Sequence, residues 1–361
     1  MIRISAVATA LCLVIVLLGG CDAAGSGQVS AAGGEGATVV LVPKLTGSPF
    51  FDAANDGAQA YAEKHGFQVR YEGDPIADVQ KQISIIKEAI ARKDDAICIS
   101  TLDAAALDSV LKEAMAAGIK VVTWDSDAFG DARMVMVSQG TPAQLGEMLV
   151  EMGAKSLTSR GLDPTSDAIQ YVWHYSQEST TDQNSWRSAG EKYIAATYPN
   201  WVNVAPENYY SEQNAGKAIS VGMEILTKHP DIDLIICNDS TALPGQAEVA
   251  RRRGLTASDV TITGFAPPND MRKYCEAGIV ERWGLWDCQV QAALGCYLAQ
   301  YLAGGNRLKV GGKLDVPEIG FVEVMPNTVL DPNAYTADDS GVVLLPSRTE
   351  FTIDNVDEYD F

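Results

Sequence analysis

The residues of this sequence that could bind a ligand follow its apolar, strand-like runs, each near the point where a run ends. They comprise one cation, two carboxylates, two amides, a hydroxyl and two aromatic rings: Lys44, Asp125, Asp182, Gln183, Asn238, Ser240, Phe50 and Trp286. Ligands of open α/β sheets bind beyond the carboxyl ends of the strands, where such residues converge. Carboxylates and amides form hydrogen bonds with hydroxyl groups, and aromatic rings cover apolar C–H faces. This set therefore predicts a site for a small polyhydroxylated ligand.

Several of these residues, taken alone, also have an ordinary structural interpretation. Lys44 could be a surface lysine at a strand end, and Asp125 could cap the segment that follows it. Asp182 could equally be the N-cap of the next helix. Phe50 and Trp286 could serve core packing alone. The binding hypothesis depends on the fact that all of them fall at strand ends.

The sequence has no recognised catalytic or metal-binding pattern. Its three histidines, His65, His174 and His229, have no metal-ligand spacing to one another. Neither an HExxH, a GxSxG nor a P-loop pattern occurs. Carboxylates are abundant, but nothing marks one of them as a general acid. We therefore expect a binding protein rather than an enzyme, with no cofactor and no metal ion.

Short apolar runs alternate with helical patterns along the chain, which is typical of βαβ units with parallel sheets. The runs predict strands in two successive sets: 38–42, 67–71, 96–100, 120–123 and 134–137, then 168–173, 201–205, 234–237, 260–263 and 280–285. Proline directly after Ser48 and after Thr141 indicates two helix starts. The repetition favours an α/β fold of two similar Rossmann-like lobes over one long sheet.

The sequence has no low-complexity linker between the two sets, so we expect the chain to cross between the lobes more than once. Such crossings form a hinge beside a cleft. We assign residues 38–138 with about 286–330 to the N-terminal lobe. Residues 139–285 with about 331–361 are assigned to the C-terminal lobe.

The N-terminus has the pattern of an export signal. Arg3 is the only charge among the first twenty residues, and an apolar run from 6 to 18 follows it. That run is too short for a comfortable transmembrane helix, which needs about 20 apolar residues. It ends in Leu18-Gly19-Gly20-Cys21, which resembles the lipobox of bacterial lipoproteins. We therefore expect residues 1–20 to be a signal peptide and Cys21 to carry the lipid.

The segment after Cys21 predicts a linker to the membrane. Residues 22–37 are mostly Gly, Ser and Ala, a composition typical of flexible segments. We therefore expect a lipid-anchored linker over residues 21–37. An ordinary signal peptide with a chance cysteine, or an N-terminal anchor helix, is the alternative interpretation.

The charge and the cysteines limit the possible partners and cross-links. A net charge of −20 argues against nucleic acid, because phosphate binding needs clustered Lys and Arg. The cysteines beyond Cys21 are odd in number and contain no CxxC pair: Cys98, Cys237, Cys275, Cys288 and Cys296. A disulfide between Cys275 and Cys288 stays open, because spacing alone cannot establish a pairing.

Several stretches resemble the periplasmic sugar-binding proteins of ABC transporters, in the ribose-binding-like cluster. They are Val42-Pro43-Lys44-Leu45, Thr123-Trp124-Asp125-Ser126-Asp127, Thr181-Asp182-Gln183-Asn184, Gly284-Leu285-Trp286-Asp287 and the C-terminal Asn355-Val356-Asp357-Glu358-Tyr359-Asp360-Phe361. The likeness extends over residues 39–361 and is strongest to the autoinducer-2-binding branch. It implies the type I periplasmic binding protein fold, a hinged two-lobe receptor that closes on a cyclic, furanose-like ligand.

The resemblance also implies roles for particular residues. The ligand-contacting lysine of the family falls on Lys44, its first-lobe aspartate on Asp125, and its Asp-Gln pair on Asp182 and Gln183. Where the family has Pro-Asp-Ala, this chain has Asn238-Asp239-Ser240. That departure leaves the exact sugar open, although it does not change the class of ligand.

The function that the resemblance implies is that of a lipid-anchored solute-binding protein. It would bind autoinducer-2, a quorum-sensing signal, or a closely related small sugar, and deliver it to an ABC permease. We expect a monomer, anchored on the extracytoplasmic face of the cell membrane. A rhamnose- or pentose-type sugar-binding protein of the same fold and a chemosensory sugar receptor are the alternatives. A transcriptional regulator with this core would need a helix-turn-helix where the sequence has a signal-like segment.

Overall fold

The computed structural model describes residues 36–361 of the chain. The predicted signal peptide at 1–20, the predicted lipidation site at Cys21 and most of the predicted linker lie outside the described residues. No helix within the described range is long and apolar enough to cross a membrane.

The described residues form strands and α-helices that alternate through most of the chain. The strands are β1 (Thr38–Val42), β2 (Gln68–Tyr71), β3 (Ala96–Ile99), β4 (Lys120–Trp124), β5 (Val135–Ser138), β6 (Gln170–Tyr175), β7 (Val202–Asn203), β8 (Tyr209–Tyr210), β9 (Leu234–Cys237), β10 (Thr261–Gly264), β11 (Trp283–Leu285), β12 (Lys313–Val316), β13 (Gly320–Glu323), β14 (Met325–Pro326), β15 (Gly341–Leu344) and β16 (Thr349–Phe351). The α-helices are α1 (Pro49–His65), α2 (Val79–Arg92), α3 (Ala104–Ala116), α4 (Pro142–Ser159), α5 (Thr181–Thr197), α6 (Ala215–Lys228), α7 (Ala242–Arg253), α8 (Pro268–Glu276) and α9 (Cys288–Ala303).

Local capping signals set the ends of α1 and α4, two of the three described helices that begin with proline. Thr141 and Gln144 form a reciprocal capping box at the start of α4, in which each side chain accepts from the other's backbone N–H. Helix α1 begins at Pro49 and ends before Gly66, whose φ of 74° lies in the left-handed region that glycine adopts without strain.

The first lobe is a seven-stranded sheet with helices on both faces. Its strand order is β14-β15-β5-β4-β3-β1-β2, and all neighbours except β14 and β15 are parallel. Strand β3 and all of β1 after Thr38 are apolar and buried because both faces of the sheet are covered. Helices α2 and α3 pack on the face that carries Val40 and Ile97. Helix α9 packs on the other face, where Gly295 allows close approach to Cys98.

The second lobe repeats this arrangement with a smaller parallel sheet. Its strand order is β10-β9-β6-β7, and β8 pairs in parallel with the far end of β6. Helix α4 packs on β9 and β10 with α5 against it, and α7 packs on the same strands with α6 against it. The predicted α/β fold of two Rossmann-like lobes is therefore confirmed.

The chain passes between the two lobes three times. The first crossing (139–141) joins β5 to α4, the second (286–287) joins β11 to α9, and the third (345–348) joins β15 to β16. Strand β11 belongs to the second lobe, since Gly284 bridges to Phe265 directly after β10. The three crossings form the hinge that the sequence analysis expected.

Several local predictions were wrong in their bounds. Residues 331–361 were assigned to the C-terminal lobe, but β15 pairs in parallel with β5 in the first sheet. The apolar run of β15 is buried there, so the third crossing comes at 345–348. The strand expected at 201–205 is only β7, β8 was not predicted, and the strand expected at 280–285 begins at Trp283. Strands β7 and β8 each pair with β6 along only two residues, and β11 pairs with β16 along three.

The five described cysteines are all buried and unpaired. Cys275 and Cys288, the pair left open by the sequence, form no disulfide. Burial raises the pKa of the Cys275 thiol to about 11, so this side chain is neutral at physiological pH.

Candidate functional site

Lys44 and Asp125 form a buried ion pair at the carboxyl edge of the first sheet. The Lys44 Nζ atom lies 3.0 Å from Asp125 Oδ2, and the two side chains are 3% and 7% exposed. Ser100, which follows β3, donates its hydroxyl to the same carboxylate oxygen at 2.7 Å. Burial lowers the pKa of Lys44, but the charges of nearby aspartates, above all Asp125, outweigh it and leave the pKa raised. Lys44 therefore stays charged and can donate to a ligand.

Asp182, at the start of α5, connects the second lobe to the first. Ser126 of the first lobe donates its hydroxyl to Asp182 Oδ1 at 2.7 Å. The other oxygen, Oδ2, is buried and accepts no hydrogen bond from residues 36–361. Burial raises the pKa of Asp182 to about 6 despite the opposing charge of Lys44. This carboxylate can therefore accept a hydroxyl hydrogen or a proton on one oxygen while the other joins the lobes.

Gln183 and Asn238 are oriented by hydrogen bonds within the second lobe. Gln183 Oε1 accepts from the backbone N–H of Ser176 at 3.1 Å and from its hydroxyl at 2.6 Å. Asn238 Nδ2 donates to the backbone oxygen of Gln183 at 3.0 Å, while Asn238 Oδ1 is buried and accepts from no described residue. The amide oxygen of Asn238 is thus left for a ligand.

Aromatic rings from both lobes form one cluster around Trp286. Its ring centroid lies 6.0 Å from that of Phe50, 5.8 Å from that of Trp186 and 5.5 Å from that of Phe265. All three contacts are edge-to-face, the arrangement that ring quadrupoles favour. The cluster supplies an apolar wall opposite the charged groups.

The polar and aromatic groups open into one cavity that encloses about 340 Å³ between atoms, part of it open to solvent. Seven of the eight predicted ligand residues line it: Lys44, Phe50, Asp125, Gln183, Asn238, Ser240 and Trp286. The eighth, Asp182, lies in the groove between the lobes that adjoins this cavity. The structure therefore brings the predicted residues together at one place in the fold.

Six further residues line the cavity but were not selected from the sequence: Phe51, Trp186, Gln213, Asp239, Phe265 and Leu285. Phe265 directly follows β10, so the rule of polar and aromatic residues at strand ends could have identified it. Gln213 gave no such signal, because it follows the two-residue strand β8. Its φ of 54° and that of 52° at Glu212 place two consecutive non-glycine residues in the left-handed region. Backbone of this kind costs roughly 1–3 kcal/mol per residue and is typical of functional sites.

The charges around the cavity favour a neutral, hydroxyl-rich ligand. Lys44 is the cation, and Asp125, Asp182 and Asp239 are the acids. Burial raises the pKa of Asp239, and hydrogen bonds from the Ser211 hydroxyl at 2.8 Å and the Ala242 N–H at 2.9 Å partly offset this effect. The acids outnumber the cation, so an anionic ligand is repelled. No group of three or more His, Cys, Asp or Glu side chains in residues 36–361 is arranged to hold a metal ion.

A family model described as a periplasmic binding protein domain matches residues 39–307. The chain belongs to the periplasmic binding protein family. Periplasmic binding proteins of this kind bind solutes and do not transform them, so the prediction of a binding protein rather than an enzyme is confirmed. The family also places the chain outside the cytoplasm.

Several solved or curated periplasmic binding proteins are similar to this chain. LsrB from Clostridium saccharobutylicum, solved in complex with AI-2, is 61% identical, with a TM-score of 0.89 over 90% of this chain and 100% of that chain. The D-ribose/D-allose-binding protein of Pseudomonas aeruginosa is 28% identical over 63% of this chain and 70% of its own length.

A more distant structure supports the fold alone. An ABC transporter solute-binding protein from Clostridium phytofermentas with bound L-rhamnose is 22% identical, with a TM-score of 0.79 over 90% of this chain and 98% of that one. Together with the closer relatives, the family match shows a sugar-binding solute-binding protein of an ABC transporter, close to LsrB.

Proposed function

We propose that this solute-binding protein binds autoinducer-2 (AI-2) and delivers it to an ABC permease for uptake. The observation that carries the proposal is the cavity in which the buried Lys44–Asp125 pair meets Gln183 and Trp286. It occurs in a chain that is 61% identical to an LsrB protein solved with AI-2.

The proposed contacts follow from the hydrogen-bonding capacity of each group. Lys44 donates to ligand oxygens, while Asp125 and Asp182 accept from ligand hydroxyls. Gln183 donates from its amide nitrogen, and Trp286 covers an apolar face of the ligand together with Phe50. Asn238 and Ser240 line the wall of the second lobe. A ligand that touches both lobes stabilises the closed form, because only that form makes both sets of contacts.

A thermal-shift and calorimetric screen tests this assignment. We expect AI-2 to raise the melting temperature, because a ligand that binds only the folded state stabilises it. Ribose 5-phosphate serves as the anionic control and should leave the melting temperature unchanged. No shift with AI-2, together with a shift for another sugar, would overturn the choice of ligand while keeping the class.

A rhamnose- or pentose-type ligand is the second candidate. The observation that favours it is the pair of polar side chains, Asn238 and Ser240, in the cavity wall where the family has Pro and Ala. Buried polar groups bind best to a ligand that satisfies their hydrogen bonds. L-Rhamnose and D-ribose in the same screen decide between the two, since the better ligand gives the larger shift at equal concentration.

Binding of AI-2 should weaken in acid through Asp182. Its pKa is raised to about 6, so the carboxylate is charged at pH 7 and becomes protonated as the pH falls through 6. Only the charged form is an acceptor at both oxygens, for Ser126 on one and for a ligand hydroxyl on the other, so affinity is constant above pH 7 and falls about tenfold by pH 5. Calorimetry across this range measures the effect.

Two variants separate this effect from general acid sensitivity. Asp182→Asn should bind more weakly at pH 7 and lose the pH dependence. Asp270→Asn is the matched control, because burial also raises the pKa of Asp270 to about 6 but this residue lies in α8, outside the cavity. A pH profile unchanged in Asp182→Asn contradicts the role given to this carboxylate.

We also propose that the protein is anchored to the membrane by a lipid on Cys21 and acts there as a monomer. The support is the Leu18-Gly19-Gly20-Cys21 sequence at the end of a signal-like apolar run. Replacing Cys21 with Ser should move the protein from the membrane fraction to the soluble fraction of expressing cells, with its sugar binding unchanged. Retention of Cys21→Ser in the membrane fraction would favour an N-terminal anchor helix instead.

A further inference from the structure

Three hydrogen bonds in series join the indole of Trp286 to the main chain of Asp125. Trp286 Nε1 donates to Gln291 Oε1 at 2.6 Å, and Gln291 Nε2 donates to Gln139 Oε1 at 3.0 Å. Gln139 Nε2 then donates to the backbone oxygen of Asp125 at 3.1 Å. The two glutamines are 1% exposed or less. Two fully buried amides therefore connect two residues of the cavity wall.

Neighbouring backbone oxygens determine which end of each glutamine amide donates and which end accepts. Gln291 Nε2 also donates to the backbone oxygen of Val137 at 2.9 Å, so its amide cannot turn over without placing two oxygens together. Gln139 donates to a backbone oxygen in the same way. Each amide thus has one orientation that satisfies its neighbours, and that orientation leaves Gln291 Oε1 facing the indole N–H.

The same glutamines lie where the chain passes between the lobes. Gln139 belongs to the first crossing, and Gln291 lies in the first turn of α9, directly after the second crossing. Arg348 of the third crossing donates from Nη1 to the backbone oxygen of Gln139 at 2.8 Å. All three crossings are therefore tied to Gln139, and through it to the cavity.

Asp125 has a backbone conformation that needs support from its surroundings. Its φ of 58° lies in the left-handed region, which residues with a Cβ seldom adopt. Gln139 holds its backbone oxygen, and the Ser100 hydroxyl holds its carboxylate at 2.7 Å. These two hydrogen bonds keep the Asp125 carboxylate directed at Lys44. The Gln139 amide therefore helps to orient the ion pair, although it contacts neither charged group.

We infer that Gln139 and Gln291 are positioning residues of the ligand site, which orient Asp125 and Trp286 and couple both to the hinge crossings. The inference deepens the proposed function, on which the choice of AI-2 as probe rests. Gln291 lines neither the cavity nor the groove that holds Asp182, and Gln139 lines only that groove. An effect of Gln291 on binding therefore passes through the residues that it holds.

Gln139→Met and Gln291→Met test the inference, because methionine is unbranched and adaptable but cannot form these hydrogen bonds. We expect each variant to bind AI-2 at least roughly tenfold more weakly at a temperature well below its melting point. Gln246→Met is the matched control: Gln246 is equally buried, in α7, outside this chain of hydrogen bonds and the cavity lining. Its affinity should stay within about twofold of the unmodified protein.

Hydrogen exchange of the six tryptophan indoles gives a measurement that needs no ligand. In NMR spectra of protein labelled with ¹⁵N-tryptophan, the Trp286 signal is assigned from Trp286→Phe. We expect its indole N–H to be protected in the unmodified protein and to exchange selectively faster in Gln291→Met. A purely structural role would instead accelerate all indoles together.

The outcomes separate the inference from the proposed function. Unchanged affinity in both glutamine variants, or unchanged indole exchange in Gln291→Met, overturns the positioning role. If the unmodified protein does not bind AI-2, the proposed ligand is wrong, and selective exchange at Trp286 still decides whether the glutamines orient the site. If a variant does not fold, indole exchange at Trp286 in the unmodified protein becomes the test of the positioning role. An unprotected indole N–H there would contradict the hydrogen bond to Gln291.

Discussion

Replacing Asp125 with Asn lowers the affinity for AI-2 by roughly a hundredfold or more. The substitution removes an acceptor for ligand hydroxyls and also leaves Lys44 as a buried cation without its partner at 3.0 Å. Leaving a buried charge unpaired costs about 3–5 kcal/mol of folding stability. The affinity falls because a hydrogen bond between the ligand and a charged acceptor, worth roughly 1.5–3 kcal/mol, is lost, and each 1.4 kcal/mol lost in binding is about a tenfold loss of affinity. Isothermal titration calorimetry measures the loss directly.

Two further variants show whether the loss reflects the site or the fold. The double variant Lys44→Met with Asp125→Asn removes both charges, so no buried charge is left unpaired, and Asn tolerates the left-handed φ of 58° at position 125. We expect it to recover stability toward that of the unmodified protein but not to bind AI-2. Asp270→Asn, an acid in α8 outside the cavity, should bind normally. Wild-type affinity in Asp125→Asn would show that this aspartate is not part of the site.

Replacing Gly146 with Ala destabilises the second lobe by about 3 kcal/mol, because added atoms in a well-packed contact force the backbone to shift. A Cβ at this position would lie 2.5 Å from Gly190 N and 2.5 Å from the Trp186 oxygen, both backbone atoms of α5. Helix α5 carries Asp182 and Gln183, so its displacement should also weaken ligand binding. Urea unfolding and calorimetry on the same preparations measure the two effects.

Gly216→Ala is the matched control for this substitution. Gly216 lies in the first turn of α6, and a Cβ there would meet only Asn214 Oδ1 at 3.3 Å. Alanine favours helices over glycine by roughly 1 kcal/mol, so the control should be as stable as the unmodified protein or slightly more stable. Equal stability of Gly146→Ala and Gly216→Ala would contradict the close contact between α4 and α5.

Most of the fold could be predicted because its signals are local. Buried parallel strands such as β1 and β3 are continuous apolar runs, and the starts of α1 and α4 are indicated by proline after Ser48 and Thr141. The wrong predictions concern strands whose position in a sheet depends on pairing with a segment far away in the sequence. Strand β15 was assigned to the wrong lobe, because nothing within the run itself indicates that it pairs with β5.

Local sequence patterns were enough to identify the residues that could form the site. Lys44, Asp125 and Asn238 each follow directly or closely on an apolar run, and parallel strands bring their carboxyl ends to one edge. Their position just after an apolar run in the sequence is therefore enough to select them. The same rule could have selected Phe265, but it could not have selected Gln213, which follows a strand of only two residues.

The tertiary structure alone decided how these residues act on one another. The bond from Ser126 to Asp182 joins the two lobes, and burial is the main cause of the raised pKa of Asp182. The series from Trp286 through Gln291 and Gln139 likewise joins segments far apart in the chain. Hydrogen bonds and desolvation depend on distances between such segments, and those distances are set only when the hinge crossings and both sheets are assembled.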